Sequence, residues 1–68
     1  MKARYSGRVV EFDDDVGRGE IDAGGLRFPF HCTAIADGSR TISTDTPVHF
    51  RLVAGPLGAL EATAVSPS

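Results

Sequence analysis

No stretch of this 68-residue sequence repeats its apolar residues at the 3.6-residue period of a helix over three turns. Apolar residues come instead in short runs separated by clusters of Gly, Asp, Pro and Ser. Those residues break strands and supply turns, so the pattern predicts a small β fold with no long helix. A chain of this length forms one domain, residues 1–68, and buries only about 60% of the surface it exposes when unfolded, so its net stability is modest.

Five strands are predicted. The first runs from Tyr5 to Phe12 and is stopped by Asp13-Asp14-Asp15, since Asp is a poor strand former that favours turns. The second runs from Gly17 to Asp22 and is turned by Gly24-Gly25. The third is Leu26 to His31, with Leu26, Phe28 and Phe30 on one face by the period of two. Pro29 has no N–H for a ladder, so this strand lies at an edge or carries a bulge. A long connection, Thr33 to Thr46, follows; Thr33-Ala34-Ile35 reads as one helical turn with Ile35 as its core anchor. The fourth strand is Pro47 to Val53, with Val48, Phe50 and Leu52 sharing a face. Gly55-Pro56-Leu57-Gly58 is a turn, Ala59 to Val65 is the fifth strand, and Ser66-Pro67-Ser68 is a frayed tail. Five short strands with a long connection after the third fit an OB-type Greek-key barrel; an SH3-like barrel competes with it, and spacing alone does not separate the two.

Composition narrows the setting. The hydrophobic fraction of 41% supports one compact core. The single cysteine, Cys32, makes an internal disulfide impossible and points to a reducing, cytoplasmic environment. No apolar run approaches the length of a membrane span, and the N-terminus leads into no signal-like stretch. The formal net charge is −2, whereas nucleic-acid binders ordinarily carry a basic excess because phosphate contacts supply much of their affinity.

No constellation for catalysis stands out, and no cofactor loop. Gly17-Arg18-Gly19 lacks the Lys-Ser/Thr and the following helix of a phosphate-cradling loop, and reads as a strand corner. The three adjacent acids at 13–15 read as a solvated turn. His31-Cys32 lacks the third and fourth ligands of a zinc site, the only other histidine being His49. Alternation along a strand sends His31 and Cys32 to opposite faces, so they make no nucleophile–base pair; Cys32 reads as a half-buried filler. Glu11 and Glu20 read as surface carboxylates on neighbouring strands, with Arg18 able to neutralise one of them.

Several segments together resemble the bacterial cold-shock domain family. They are Gly7-Arg8-Val9-Val10-Glu11-Phe12, Gly17-Arg18-Gly19-Glu20-Ile21, Phe30-His31-Cys32-Thr33-Ala34-Ile35, Val48-His49-Phe50, Gly55-Pro56-Leu57-Gly58 and Ala62 to Val65. The family reads roughly G-x-V-K-W-F-N, K-G-F-G-F-I, V-F-V-H-F-S-A-I, V-x-F and G-P-x-G-P-x-A-x-N-V over these stretches. The resemblance implies a closed five-stranded barrel, with Val9, Ile21, Phe28, Phe30, Ile35, Val48 and Val65 in its core. It also implies a face on which members of the family stack the bases of single-stranded RNA or DNA, each stacked base being worth about 1–3 kcal/mol.

That face is altered here. Glu11 stands in place of a Trp, Arg18 and Glu20 in place of two Phe, and Pro29, Cys32 and Ser39 in place of three more. Phe12 and His31 keep the family's residues, while flanking Lys positions hold Val10 and Val16. The resemblance therefore implies single-stranded nucleic acid as partner, bound weakly or with altered selectivity, with Phe12, Arg18, His31, Arg8 and Arg40 as candidate contacts. The alternative is a protein partner, or a second copy of the chain, on a barrel that has lost base binding.

Overall fold

The computed structural model describes residues 3–55 and 58–68. Its strands are β1 (Tyr5–Asp13), β2 (Arg18–Ala23), β3 (Leu26–His31), β4 (Pro47–Ala54) and β5 (Leu60–Pro67). Their hydrogen-bonded order is β3-β2-β1-β4-β5, and all neighbours are antiparallel. Three hairpin-connected strands and a fourth that returns beside the first make a Greek key. β3 packs back against β5 to close the barrel. The closure is pinned by a parallel bridge between Ile35 and Val65 and by the Ala36 N–H, which donates to the Val65 carbonyl at 2.7 Å. The fold is thus an all-β, five-stranded antiparallel OB-type barrel, as the resemblance implies, and not the SH3-like alternative that strand spacing left open.

Local chemistry accounts for the corners. Ala23 pairs directly with Leu26, leaving Gly24-Gly25 as a two-residue hairpin loop. Both glycines have positive φ, +63° and +87°, as a primed turn requires. The helical turn lies one residue earlier than predicted, as a 3-10 turn at Cys32–Ala34. Pro29 lies in β3, which pairs with β2 alone and keeps an unbroken register with it; the edge explanation holds and the bulge does not. Pro56 and Leu57 of the predicted turn lie outside the described residues.

The core consists of Val9, Ile21, Phe30, Ile35, Val48, Phe50, Ala62 and Val65. Phe28 is half-buried, its ring tilted against Phe50 at a centroid distance of 6.0 Å. Leu26 departs from the predicted apolar face: it pairs with Ala23 at the hairpin end of the sheet, past the core, and is 64% exposed. Gly19 is required by space. A Cβ there would come within 2.6 Å of the Glu11 carbonyl and 2.8 Å of both the Phe12 and Phe30 rings.

Two irregularities reset the face pattern. In β1 the register shifts between Val9 and Glu11, so Val10 is an extra residue and the alternation changes phase after it. In β4–β5 the step from Arg51↔Thr63 to His49↔Ser66 leaves one extra residue on β5. Ala64 lies within that step at φ +52°, where an L-residue is strained. The frayed tail is also corrected. Ser66 pairs with His49, Pro67 with Val48, and the Ser68 N–H donates to the Pro47 carbonyl at 2.9 Å, because β4 reaches back far enough to hold them.

The strain at Ala64 can be tested. In the resembled family pattern an Asn, a residue that tolerates left-handed φ, stands at this position. Ala64 is exposed, so losing its Cβ costs no core packing. Ala64→Gly is expected to stabilise the protein by about 0.5–1 kcal/mol, the relief of left-handed strain exceeding the added freedom of the unfolded chain. Thermal denaturation should show a midpoint several degrees higher; an unchanged or lower midpoint contradicts the assignment.

Candidate ligand-binding face

The register of β1, β2 and β3 sorts their side chains into rungs. On the inner side, Val9, Ile21 and Phe28 form one rung, and Phe12, Gly19 and Phe30 the next. On the outer side three rungs stand in succession: Arg8–Asp22–Arg27, Glu11–Glu20–Pro29 and Asp13–Arg18–His31. Of the six positions where stacking aromatics are replaced, Glu11, Glu20 and Pro29 therefore occupy a single rung, and Arg18 occupies the adjacent one together with His31.

Phe12 is the exception. The bulge at Val10 turns Glu11 outward and hence Phe12 inward. Its ring stacks on buried Phe30 at 5.8 Å and 17°, over the space left by Gly19. Phe12 is a half-buried wall of the barrel and does not share the outer face with Glu11, Arg18, Glu20 and His31.

The outer face is a mosaic of charges. Glu20 accepts an ion pair from Arg27 at 3.5 Å. The two side chains are 41% and 60% exposed, so the pair contributes only about 0.2–1 kcal/mol. Asp13 is committed to the β1–β2 turn, its Oδ1 accepting the N–H groups of Asp15 at 2.9 Å and Val16 at 3.2 Å. Arg8 is committed as well: its Nη1 donates to the Asp45 carbonyl at 2.7 Å, tying β1 to the loop before β4. Neither Glu11 nor Arg18 has an ion-pair or hydrogen-bond partner for its side chain among the described residues. Both border a shallow groove of about 280 Å³, with Glu20 and Pro29 beside them.

His31 caps the 3-10 turn. Its Nδ1 accepts the Thr33 N–H at 3.3 Å and lies 3.0 Å from the Thr33 hydroxyl. In the neutral ring that places the proton on Nε2, which remains a donor. The expectation that Cys32 points away from His31 is corrected: Sγ lies 3.7 Å from His31 Nδ1, because Cys32 begins the turn and strand alternation no longer governs it. The Cys32 N–H donates to the Gly17 carbonyl at 2.8 Å, and a Cβ on Gly17 would come within 2.9 Å of the sulfur.

Ser39 and Arg40 belong to the connection between the 3-10 turn and β4. The Ser39 N–H donates to Asp37 Oδ1 at 2.9 Å, a contact that holds the exposed Asp37 carboxyl below its ordinary pKa. Thr41 Oγ1 donates to Asp14 Oδ1 at 2.9 Å, docking this connection on the β1–β2 turn, at the end of the face that carries Arg18 and His31. Among the described residues no three His, Cys, Asp or Glu side chains are grouped as metal ligands would be.

From sequence, Asp13 reads only as part of a solvated acid run, Arg27 only as one of several scattered arginines, and Asp22 has no assigned role. Period-two alternation from Arg18 and His31 points to Asp22 and Arg27. Alternation from Glu11 points likewise to Asp13; what the sequence hides is the bulge that turns Glu11 outward, which has no residue-level signature at Val9-Val10.

No protein-family model matches the chain, and no curated protein matches it. Among solved structures the fold is similar to the cold-shock domains of Drosophila Unr (CSD456). The TM-score is 0.80 at 23% identity, over 98% of this chain and 27% of that one. The chain therefore spans about a quarter of that polypeptide, and the likeness is one of fold: a cold-shock-type barrel.

Proposed function

We propose that the protein is a non-catalytic binding module, a divergent member of the bacterial cold-shock lineage. On this reading it engages single-stranded nucleic acid weakly through the outer face of β1, β2 and β3. The observation that carries the reading is the Asp13–Arg18–His31 rung. Arg18 can lie flat on a base and also pair with phosphate, and His31 offers a ring face and a donor Nε2. Both are exposed, and both stand next to the groove-forming rung of Glu11 and Glu20. With most of the stacking aromatics replaced, the remaining affinity is electrostatic and modest.

Anisotropy titration of labelled oligo-dT and oligo-rU tests this. The expected result is a dissociation constant on the order of 100 μM at low salt that weakens as salt rises. Absence of binding in that range, without salt dependence, overturns the reading.

A second reading rests on charge. The outer rungs carry four carboxylates, Glu11, Asp13, Glu20 and Asp22, against three guanidinium groups, Arg8, Arg18 and Arg27. A face of that balance suits a protein partner with a complementary pattern, or a second copy of the chain. Concentration-dependent sedimentation addresses self-association, and a strict monomer that binds oligonucleotides rejects this reading.

A further inference from the structure

We infer that the β1–β3 face selects guanine among the bases of a single strand, with Glu11 as the residue that selects. The inference rests on the nucleic-acid reading above and adds to it the identity of the preferred base.

Of the carboxylates on the outer rungs that border the groove, Glu20 is engaged by Arg27 and Asp13 by two backbone N–H groups. Glu11 has no such partner among the described residues, and it borders the groove that Arg18 also lines. The neighbouring rungs Glu11–Glu20–Pro29 and Asp13–Arg18–His31 supply flat platforms: a guanidinium, a proline ring and an imidazole. A base lying on them presents its hydrogen-bonding edge to the groove wall, where the unpaired carboxylate is.

An ionised carboxylate only accepts hydrogen bonds, so it ranks bases by the donors on that edge. Guanine presents N1–H and the N2 amino group side by side, two parallel donors that match the two carboxylate oxygens. Cytosine and adenine each present one amino donor beside a ring acceptor. Uracil and thymine present a single N–H flanked by two carbonyl oxygens, which a carboxylate repels. The expected order is guanine first, then cytosine and adenine, then uracil and thymine.

The test uses the full chain and labelled RNA hexamers: all-uridine, the same strand with one central guanosine, and the same strand with inosine, which lacks the N2 amino group. The guanosine strand should bind about tenfold more tightly than the all-uridine strand, and inosine should lose part of that gain. Glu11→Gln, an exposed substitution that leaves the core untouched, should abolish most of the discrimination, read as the ratio of the guanosine-strand to the all-uridine-strand dissociation constant for the same variant. Equal binding of the guanosine and uridine strands overturns the inference and leaves the nucleic-acid reading standing. Discrimination that survives Glu11→Gln overturns the role of Glu11. Binding of none of the strands overturns both the inference and the reading beneath it.

Discussion

The triple variant Glu11→Trp, Arg18→Phe, Glu20→Phe is expected to bind single-stranded DNA and RNA at least a hundredfold more tightly than the parent chain. The three positions lie on two adjacent outer rungs of β1 and β2, so three new rings would form one continuous platform. Each base–aromatic stack contributes about 1–3 kcal/mol, and three of them therefore give at least about 3 kcal/mol, or two orders of magnitude. Two carboxylates that oppose phosphate disappear at the same time. Arg27, released from its pair with Glu20, becomes available to the backbone of the strand. The loss of Arg18 offsets part of this gain without reversing it. The readout is anisotropy titration with oligo-dT and oligo-rU, with circular dichroism confirming that the barrel is intact. A folded triple variant whose affinity is unchanged would mean that ligand binds elsewhere on the barrel.

Phe50→Ala is expected to leave the chain largely unfolded at room temperature. Phe50 is fully buried, and two further rings lean on it: Tyr5 at a centroid distance of 5.9 Å and Phe28 at 6.0 Å. Truncating a buried Phe to Ala costs about 3–5 kcal/mol. A single core in a domain of this size rarely supplies more than about 3–5 kcal/mol in total. The barrel has no disulfide to offset the loss, since Cys32 is the chain's only cysteine. Urea denaturation followed by circular dichroism should show little or no folded baseline. A cooperative transition with a loss under about 1 kcal/mol would contradict the placement of Phe50 at the centre of the core.

The fold could be read from the sequence because its signals are local. Gly24-Gly25 specifies a primed hairpin, Asp13 to Asp15 end β1, and alternation in Val48-His49-Phe50 separates core from surface. The candidate face was read less completely, because strict alternation fails where a strand takes in an extra residue. Val9-Val10 looks like ordinary strand, yet the bulge there sends Phe12 onto Phe30 and away from the face. Likewise nothing in Ser66-Pro67-Ser68 announces pairing; it depends on β4 beginning at Pro47, a tertiary context that local spacing does not encode. The contact of Cys32 with His31 was missed for a related reason, the switch from strand to 3-10 turn falling between the two residues.

The central claim is that the outer wall of β1, β2 and β3 is where ligand binds. Amide chemical-shift mapping during titration with the guanosine-containing hexamer tests it most directly. The account predicts that the largest shifts fall on Glu11, Arg18, Glu20 and His31. Shifts concentrated instead around Tyr5, Arg51 and Thr63, which line a separate cleft of about 430 Å³ at the β4–β5 side of the barrel, would contradict it.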